Sequence, residues 1–237
     1  MRNYITLNGK NSNEINGLRI QELPPISKPQ IRTEVEEIDG RDGDIVTKLG
    51  FAAYDKEFTV GLYKDFDINE IIAYFNSEGT VVFSNESDKY YNYQIIDQID
   101  FERLVRYRTA TVRMHCQPFK YSTEERTRSS TSLADKTFSI TNSGNIYSKP
   151  AVTVYGTGTI NLSLNGKQLF VIELGETDNY LTIDADKLEA YQDTTETLMN
   201  RLVDGDYNNL KLEVGRNTFT WSGELAKIEV SNYSRWI

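Results

Sequence analysis

A mostly β fold is predicted by the composition of the chain and by a short repeating pattern. Fifteen tyrosines, ten phenylalanines and many threonines, valines and isoleucines are typical of pleated, half-buried strands, and only five prolines interrupt them. Alternating apolar and polar runs recur along the sequence and end at Gly, Asn, Asp or Ser, which favour turns. With 237 residues, the chain can form one large or two small domains, each with a buried core.

Two β-rich domains joined by a linker account for the order of these runs. Residues 126–136 lack apolar periodicity and carry many small polar side chains, as linkers do. We therefore expect an N-terminal domain over residues 1–125, a linker over 126–136 and a C-terminal β-sandwich over 137–237. The clearest hairpin turn is Asn165-Gly166, because a type I′ turn needs positive φ at both central residues. LKLEVG, residues 210–215, is one of the predicted strands of the second domain.

One amphipathic helix is predicted within residues 64–79 of the first domain. Asp67 is the expected N-cap, Glu70 follows three residues later, and Gly79 is the expected stop. The apolar residues at helical spacing are Ile68, Ile71, Ile72 and Phe75. Residues 190–206 are a weaker helix candidate because they contain three threonines, and a long loop with one helical turn is the alternative.

The sequence contains no recognisable catalytic or metal-binding motif. It has one cysteine, Cys116, and one histidine, His115, which point to opposite faces if they lie on one strand. We expect Cys116 to be a small core residue. Nucleophile elbows, phosphate loops, dinucleotide fingerprints and HExxH are absent from the sequence. We therefore expect no catalytic residue, no metal and no cofactor.

The net charge of the chain limits the partners to be considered. A formal charge of -9 disfavours general binding to nucleic acid or to an anionic membrane. The N-terminus lacks the apolar core of a signal peptide, and no apolar run is long enough for a membrane span. We expect a soluble protein that is not secreted.

The stretch EEIDGRDGDI, Glu36–Ile45, contains two Asp-Gly pairs and five acidic residues. An EF-hand needs glycine at its sixth position and glutamate at its twelfth, whereas counting from Asp39 gives Asp44 and Gly50. As turns, both pairs make sense, because aspartate binds nearby amides and glycine adopts the left-handed conformation. The stretch therefore predicts a tight connection between two extended segments.

The charges of the first domain are divided between two segments of opposite sign. An acidic segment runs from Thr33 to Asp44, and a basic segment runs from Phe101 to Lys120. Opposite charges on two edges suit a head-to-tail contact between copies, although two unrelated solvated faces would give the same pattern. The residues we expect at a subunit interface are Glu34, Glu36, Glu37, Asp39, Arg41, Asp42 and Asp44, facing Arg103, Arg106, Arg108 and Arg113.

Longer stretches resemble the distal tail protein (Dit) family of siphoviruses. PPISKPQIRTEVEEIDGRDGDIV is similar to the N-terminal signature of that family. SGNIYSKPAVTVYGTGTINLSLNGKQLFVI, then YLTIDAD, GRNTFTWSG and the terminal SRWI are similar to the second domain of its compact members. The resemblance spans the whole chain, and it depends on the ordered combination of these segments.

The resemblance implies a structural role in a phage tail. It implies an N-terminal β-rich domain with one α-helix and an extended hairpin, followed by a galectin-like β-sandwich. Six copies would form a ring that joins the tail tube protein to the tail-associated tip protein and, in many phages, to receptor-binding proteins of the baseplate. DNA would pass through the ring without specific binding. The implied location is the virion tail tip, reached from the host cytoplasm during assembly for a role in host adsorption.

Two other classes of function remain open from the sequence. A carbohydrate-binding module recognising host cell-wall glycans would place an aromatic side chain under a sugar ring, and Trp221 is the candidate, although a core role is more frequent for such a residue. Trp236 is expected to pack the last strand. A polysaccharide hydrolase would need a pair of carboxylates in a groove, which the sequence cannot identify among its many acids.

Overall fold

The computed structural model describes residues 2–75, 78–131 and 134–237, and for residues 194–196 it describes the backbone alone. The chain divides into two compact units, which consist of residues 1–123 with Ile237 and of residues 124–236. The mostly β class predicted from the sequence is confirmed.

The first unit is an antiparallel sheet with two short helices and a separate hairpin. Its strands and helices are β1 (Ile5–Leu7), β2 (Lys10–Asn11), β3 (Leu18–Glu22), β4 (Ile31–Glu37), β5 (Asp44–Phe51), β6 (Tyr54–Leu62), α1 (Ile68–Tyr74), β7 (Glu78–Phe83), β8 (Lys89–Gln94), α2 (Phe101–Tyr107) and β9 (Thr109–Ser122). The sheet order is β2-β1-β7-β8-β9-β6-β3, whereas β4 and β5 pair only with each other among the described strands.

The core of the first unit lies on one face of this sheet, beneath the two helices. Alternate residues of the central strands are buried, as expected for a sheet with one covered face. Phe83 lies edge to face with both Phe58, at 6.1 Å between ring centroids, and Tyr91, at 5.7 Å. Ile71 from α1 and Leu104 from α2 are fully buried in the same cluster. Both helices therefore contribute side chains to the core of the first unit.

Helix α1 begins where the sequence predicts and ends earlier. The Asp67 side chain accepts a hydrogen bond from the Asn69 N–H and caps the helix. The buried face consists of Ile71, Tyr74 and Phe75, whereas Ile72 is 45% exposed. Tyr74 is the last helical residue, so the predicted stop at Gly79 is wrong. Gly79 lies in β7, and residues 76 and 77 of the predicted helix lie outside the described residues.

The second unit consists of strands with two short 3-10 turns, Asn200–Leu202 and Tyr207–Asn209. Its strands are β10 (Arg126–Ser130), β11 (Thr137–Asn142), β12 (Ala151–Leu164), β13 (Lys167–Leu174), β14 (Tyr180–Asp184), β15 (Glu189–Gln192), β16 (Thr194–Leu198), β17 (Val203–Gly205), β18 (Gly215–Asn232) and β19 (Arg235–Trp236). The long strands β12 and β18 pair with each other along most of their length.

The strands β12 and β18 are long enough to belong to both layers of the sandwich. One half of the pair is flanked by β10 and by β14, β15 and β16, and the other half by β11 and by β13 and β17. The register shifts near Gly156, where a Cβ would lie 2.3 Å from the Glu224 carbonyl oxygen, so the strands approach very closely at this point. Val152 and Val154 of one half belong to the same buried cluster as Leu162 and Phe219 of the other. The predicted β-sandwich is confirmed.

Three local predictions differ from the structure. Arg126–Ser130, assigned to the linker, form β10 and pair with β18, while residues 132 and 133 of that linker lie outside the described residues. Residues 190–206 form strands and one 3-10 turn, not an α-helix, because Ala190 and Met199 are buried against the sandwich core. LKLEVG contributes one isolated bridge, Ser148 to Leu212, and only its last residue, Gly215, belongs to a strand, β18.

Candidate assembly interface

Strands β4 and β5 form an antiparallel hairpin with its tip at residues 38–43. The pairing runs from Ile31 opposite Phe51 at the root to Glu37 opposite Asp44 at the tip. Gly40 and Gly43 have φ angles of 80° and 79°, and a Cβ at either would contact nothing within 4 Å. Glycine is therefore needed for its conformation rather than for space. The predicted connection between two extended segments is confirmed.

The hairpin has exposed apolar side chains and no core. Val35 and Val46 lie directly opposite each other and are 53% and 52% exposed. Ile38 and Leu49 are also exposed. An isolated two-stranded hairpin is marginally stable in water, and clustered exposed apolar residues indicate an interaction surface. This apolar component was missed in the sequence, where the segment stands out by its charge.

The acidic side chains of the hairpin form no ion pair with the described residues of their own chain. Glu37 and Asp44 are cross-strand neighbours, an arrangement that destabilises a sheet when both are charged. Glu34 and Glu36 alternate onto the opposite face. Among the described residues, no ion pair includes an acid of the hairpin or Arg41. A basic surface outside the chain would remove this repulsion.

Helix α2 presents arginine and apolar side chains to solvent. The Asp100 carboxylate caps it by accepting a hydrogen bond of 2.7 Å from the Arg103 N–H, and Leu104 fixes its inner face. Arg103, Arg106 and Tyr107 share an outer face by their spacing, and Tyr107 is 62% exposed. The helix was missed in the sequence because only Leu104 is fully buried, which gives too weak a periodicity.

The other two arginines of the basic segment make contacts within the first unit. Arg108 follows α2 in the left-handed conformation, with its guanidinium 4.8 Å from the Phe66 ring centroid. The Arg113 guanidinium donates to Glu57 at 2.7 Å and to Asp97 at 3.2 Å, and the bond to Glu57 raises the pKa of Arg113. The Arg106 guanidinium lies 5.5 Å from the Tyr107 ring centroid, but that ring is on the same exposed face of α2. We therefore expect Arg103 and Arg106 to contact another copy, and that pairing stays a prediction.

His115 and Cys116 occupy opposite faces of β9, as the sequence predicts. Cys116 is fully buried, and burial raises the pKa of its thiol to about 12. The His115 Nδ1 atom lies 2.8 Å from Asp55 Oδ1 on the exposed face. A thiol that stays protonated is a poor nucleophile, and the imidazole lies on the other side of the sheet.

Trp221 lies in the core of the second unit. It is 7% exposed and belongs to the same buried cluster as Phe219 and Leu162. This burial is the core role that was the more frequent alternative to sugar contact. Within the described residues there is no group of His, Cys, Asp and Glu suited to a metal ion. The described helices are also too short or too polar to span a bilayer.

Comparison with known proteins gives matches among solved structures alone. No family model and no curated protein sequence matches the chain. The crystal structure of the phage SPP1 Dit protein (gp 19.1) superposes with a TM-score of 0.68 at 14% identity, and the match covers 100% of both chains. That protein is described as a paradigm of the hub adsorption apparatus in phages that infect Gram-positive bacteria.

The fold is that of the SPP1 Dit protein. Two structures of the phage P2 baseplate in its activated conformation, with Ca and with Sr, also match this chain. Their TM-scores are 0.51 and 0.52 at 12% identity, and each match covers 98% of this chain and 97% of the other. The full-length likeness to Dit agrees with the resemblance noted in the sequence.

Proposed function

We propose that this protein is a distal tail protein, a structural hub that joins a phage tail tube to the tail-tip or baseplate apparatus for host adsorption. The observation that carries the proposal is the match to SPP1 Dit over the full length of both chains. A likeness limited to the sandwich would suit many unrelated proteins, since that architecture hosts many functions. The combination of a sheet domain, a projecting hairpin and a sandwich is more specific.

In this proposal, six copies form a closed ring through a head-to-tail contact. The hairpin of one copy lies on the α2 surface of the next, with acids against Arg103 and Arg106. Covering the exposed halves of Val35, Val46 and Leu49 would contribute roughly 1 kcal/mol each. Exposed ion pairs contribute about 0.2–1 kcal/mol each. The apolar side chains therefore supply much of the affinity, and the charges select the partner surface.

The further partners belong to the same proposal. One face of the ring would bind the tail tube protein, and the other the tail-associated tip protein, with receptor-binding proteins in phages that carry them. The protein would act in the virion without catalysis or a cofactor, after assembly in the host cytoplasm. Its acidic character suits a channel through which DNA passes without being held.

The mass of the protein in solution tests the ring. We expect a six-fold multiple of the chain mass at high protein concentration by sedimentation. The double variant Arg103→Glu/Arg106→Glu should shift assembly to a concentration at least about tenfold higher, because like charges would then face the hairpin.

The matched control changes two exposed basic residues of the second unit, Lys167→Glu/Arg201→Glu. This control alters the net charge equally and should leave assembly unchanged. Equal effects of the two double variants, or unaltered rings in the α2 variant, would contradict the proposed contact. A chain that is monomeric alone should be tested again with the tail-associated tip protein, because a partner can drive assembly by mass action.

A further inference from the structure

The segment between β3 and β4 leads from the body of the first unit into the hairpin. Its sequence is LPPISKPQ, residues 23–30, and it contains three of the five prolines of the chain. Proline has no N–H group, so it cannot donate to a neighbouring strand. A segment of this kind can be fixed to the body only through its carbonyl groups, its few remaining N–H groups and side-chain packing.

Two side chains of the body hold consecutive carbonyl groups of this segment. Lys56 Nζ on β6 donates to the Pro25 carbonyl oxygen at 3.0 Å. Asn85 Nδ2, in the turn after β7, donates to the Pro24 carbonyl oxygen at 3.1 Å. Lys56 belongs to the main sheet and Asn85 to the 3-10 turn Ser84–Glu86, so neither donor is part of the hairpin. They therefore tie the entry of the hairpin to two separate elements of the body.

Lys56 is an unusual residue for this position because it is only 3% exposed. Its ammonium lies 4.8 Å from the Tyr91 ring centroid, 5.3 Å from that of Tyr54 and 5.8 Å from that of Phe83. No ion pair of the described residues includes Lys56, and the Pro25 carbonyl is its one hydrogen-bond acceptor there. Burial lowers the pKa of Lys56. A buried ammonium with aromatic neighbours depends strongly on the acceptor that it has.

The exit of the hairpin is fixed by different contacts. The Phe51 ring lies 5.6 Å from that of Phe119 on β9, edge to face. The Ala52 N–H donates to the Gln30 carbonyl oxygen at 2.8 Å, and this bond joins the residue after β5 to the residue before β4. The hairpin thus has a packed root and an exposed length beyond it, so small changes at the root would be amplified at the tip.

We propose that Lys56 and Asn85 form a clamp on the Pro24-Pro25 carbonyls that fixes the direction in which the β4–β5 hairpin leaves the first unit. The clamp is a positioning device that keeps the free chain ready for assembly. Its contribution to assembly, though not its effect on the hairpin, rests on the proposed ring function. Holding a binding element in its bound direction lowers the entropy lost on association.

The variant Lys56→Met tests the clamp in the full chain. Methionine fills similar space among the three rings and removes both the charge and the hydrogen bond. Because a buried charge is replaced by an apolar side chain, the variant should fold with unchanged or raised stability. The hairpin should nevertheless lose its fixed direction.

Electron-spin distance measurement reports that direction. Spin labels on Asp42→Cys at the hairpin tip and Ala73→Cys on α1 lie within one unit, and buried Cys116 resists labelling at neutral pH because its thiol remains protonated. We expect a narrow distance distribution in the otherwise unchanged chain and a clearly broader one with Lys56→Met. An unchanged distribution would overturn the clamp.

Two further variants separate positioning from general damage. Asn85→Asp, at an exposed site, keeps the shape but cannot donate to the Pro24 carbonyl, and should also broaden the distribution. The double control Lys120→Met/Glu86→Gln removes a nearby ion pair of 2.8 Å, whose side chains make no hydrogen bond to the proline segment among the described residues. This control should leave the distribution narrow, and broadening in it would assign the effect to loosened packing.

Sedimentation of the same variants distinguishes the clamp from the ring proposal. If the chain forms rings, Lys56→Met should require about tenfold more protein to assemble. Failure of the unchanged chain to form rings, both alone and with the tail-associated tip protein, would defeat the ring and leave the clamp to be judged by distances alone. Rings with an unchanged hairpin distribution in Lys56→Met would defeat the clamp and leave the ring intact.

Discussion

Gly79 at the start of β7 lies where an added side chain would collide with that of Asn8. Its φ is 142°, and a Cβ there would lie 1.8 Å from Asn8 Oδ1. The Asn8 side chain lies against the backbone of β7. Its Nδ2 donates to the Glu78 carbonyl oxygen at 3.1 Å, and its Oδ1 accepts from the Thr80 N–H at 2.8 Å. The side chain of Asn8 thus supplies hydrogen bonds to both neighbours of Gly79.

We expect Gly79→Ala to lower the stability of the first unit by roughly 1–3 kcal/mol, because it adds a steric conflict to an unfavourable φ. Gly9→Ala is the control, since Gly9 also has positive φ, 85°, but a methyl group added there would have nothing within 4 Å. Urea denaturation measures both. A loss in Gly79→Ala no greater than that in Gly9→Ala would show that the contact with Asn8 is unimportant.

Single residues were predictable from the sequence where their role is local. The cap at Asp67, the turn glycines of the hairpin and the opposite faces of His115 and Cys116 depend on neighbours a few positions away. Gly79 was assigned to the wrong element because the side chain that excludes a Cβ at this position belongs to Asn8, 71 positions away in the chain. No local pattern carries that information.

At the scale of elements, the hairpin differs from the other strands in what it buries. Apart from the two-residue strand β2, the strands β1, β3 and β6 to β9 of the main sheet contribute buried side chains, whereas β4 consists of exposed residues apart from half-buried Ile31. Its valines therefore add little to the stability of the free chain. Their apolar surface becomes useful only when another molecule covers it.

The double variant Val35→Thr/Val46→Thr should leave the free energy of unfolding within about 0.5 kcal/mol of the unchanged chain and weaken ring assembly. Threonine keeps the strand preference while adding a hydroxyl. Val60→Thr, at a fully buried position of β6, is the comparison and should lower stability by more than about 1 kcal/mol. Urea denaturation measures the stability of each variant, and sedimentation measures its assembly. Undiminished assembly in the hairpin variant would argue against a contact between these valines and a neighbouring copy.

Elements with strong patterns or turn signals were predictable, and those held by distant contacts were not. The Asn165-Gly166 turn joins β12 and β13 with φ angles of 51° and 80°, as its sequence indicates. Residues 189–205 are polar and rich in threonine, and their strands form because Ala190 and Val203 have places in the sandwich core. Helix α2 likewise depends on the cap at Asp100 and on one buried leucine.

At the scale of the whole molecule, each unit has a hydrophobic cluster of its own. The cluster of the first unit comes from residues before 117, and that of the second from residues after 137. The sequence allowed both domains to be expected, since each has its own series of strand patterns. The apolar part of the proposed interface could not be predicted, because the sequence does not indicate whether a valine in a strand is buried or exposed.

We expect residues 124–236 expressed alone to fold, because the fragment contains the whole of its cluster. Its urea midpoint should agree with that of one transition of the full-length chain, with near-ultraviolet circular dichroism of the aromatic side chains as the signal in both. A fragment that lacks a cooperative transition would mean that the second unit depends on the first for its stability.

The isolated pairing of β4 with β5 has a consequence for the protein before it meets any partner. Each strand of the hairpin has one edge with no neighbouring strand among the described residues, and such edges can recruit the same edges of other chains into aggregates. When two hairpins approach each other, however, Glu36, Glu37 and Asp44 of one meet the same acids of the other. The electrostatic repulsion between these acids therefore disfavours pairing of two hairpins in newly made copies. Raising the salt concentration should screen this repulsion and increase aggregation.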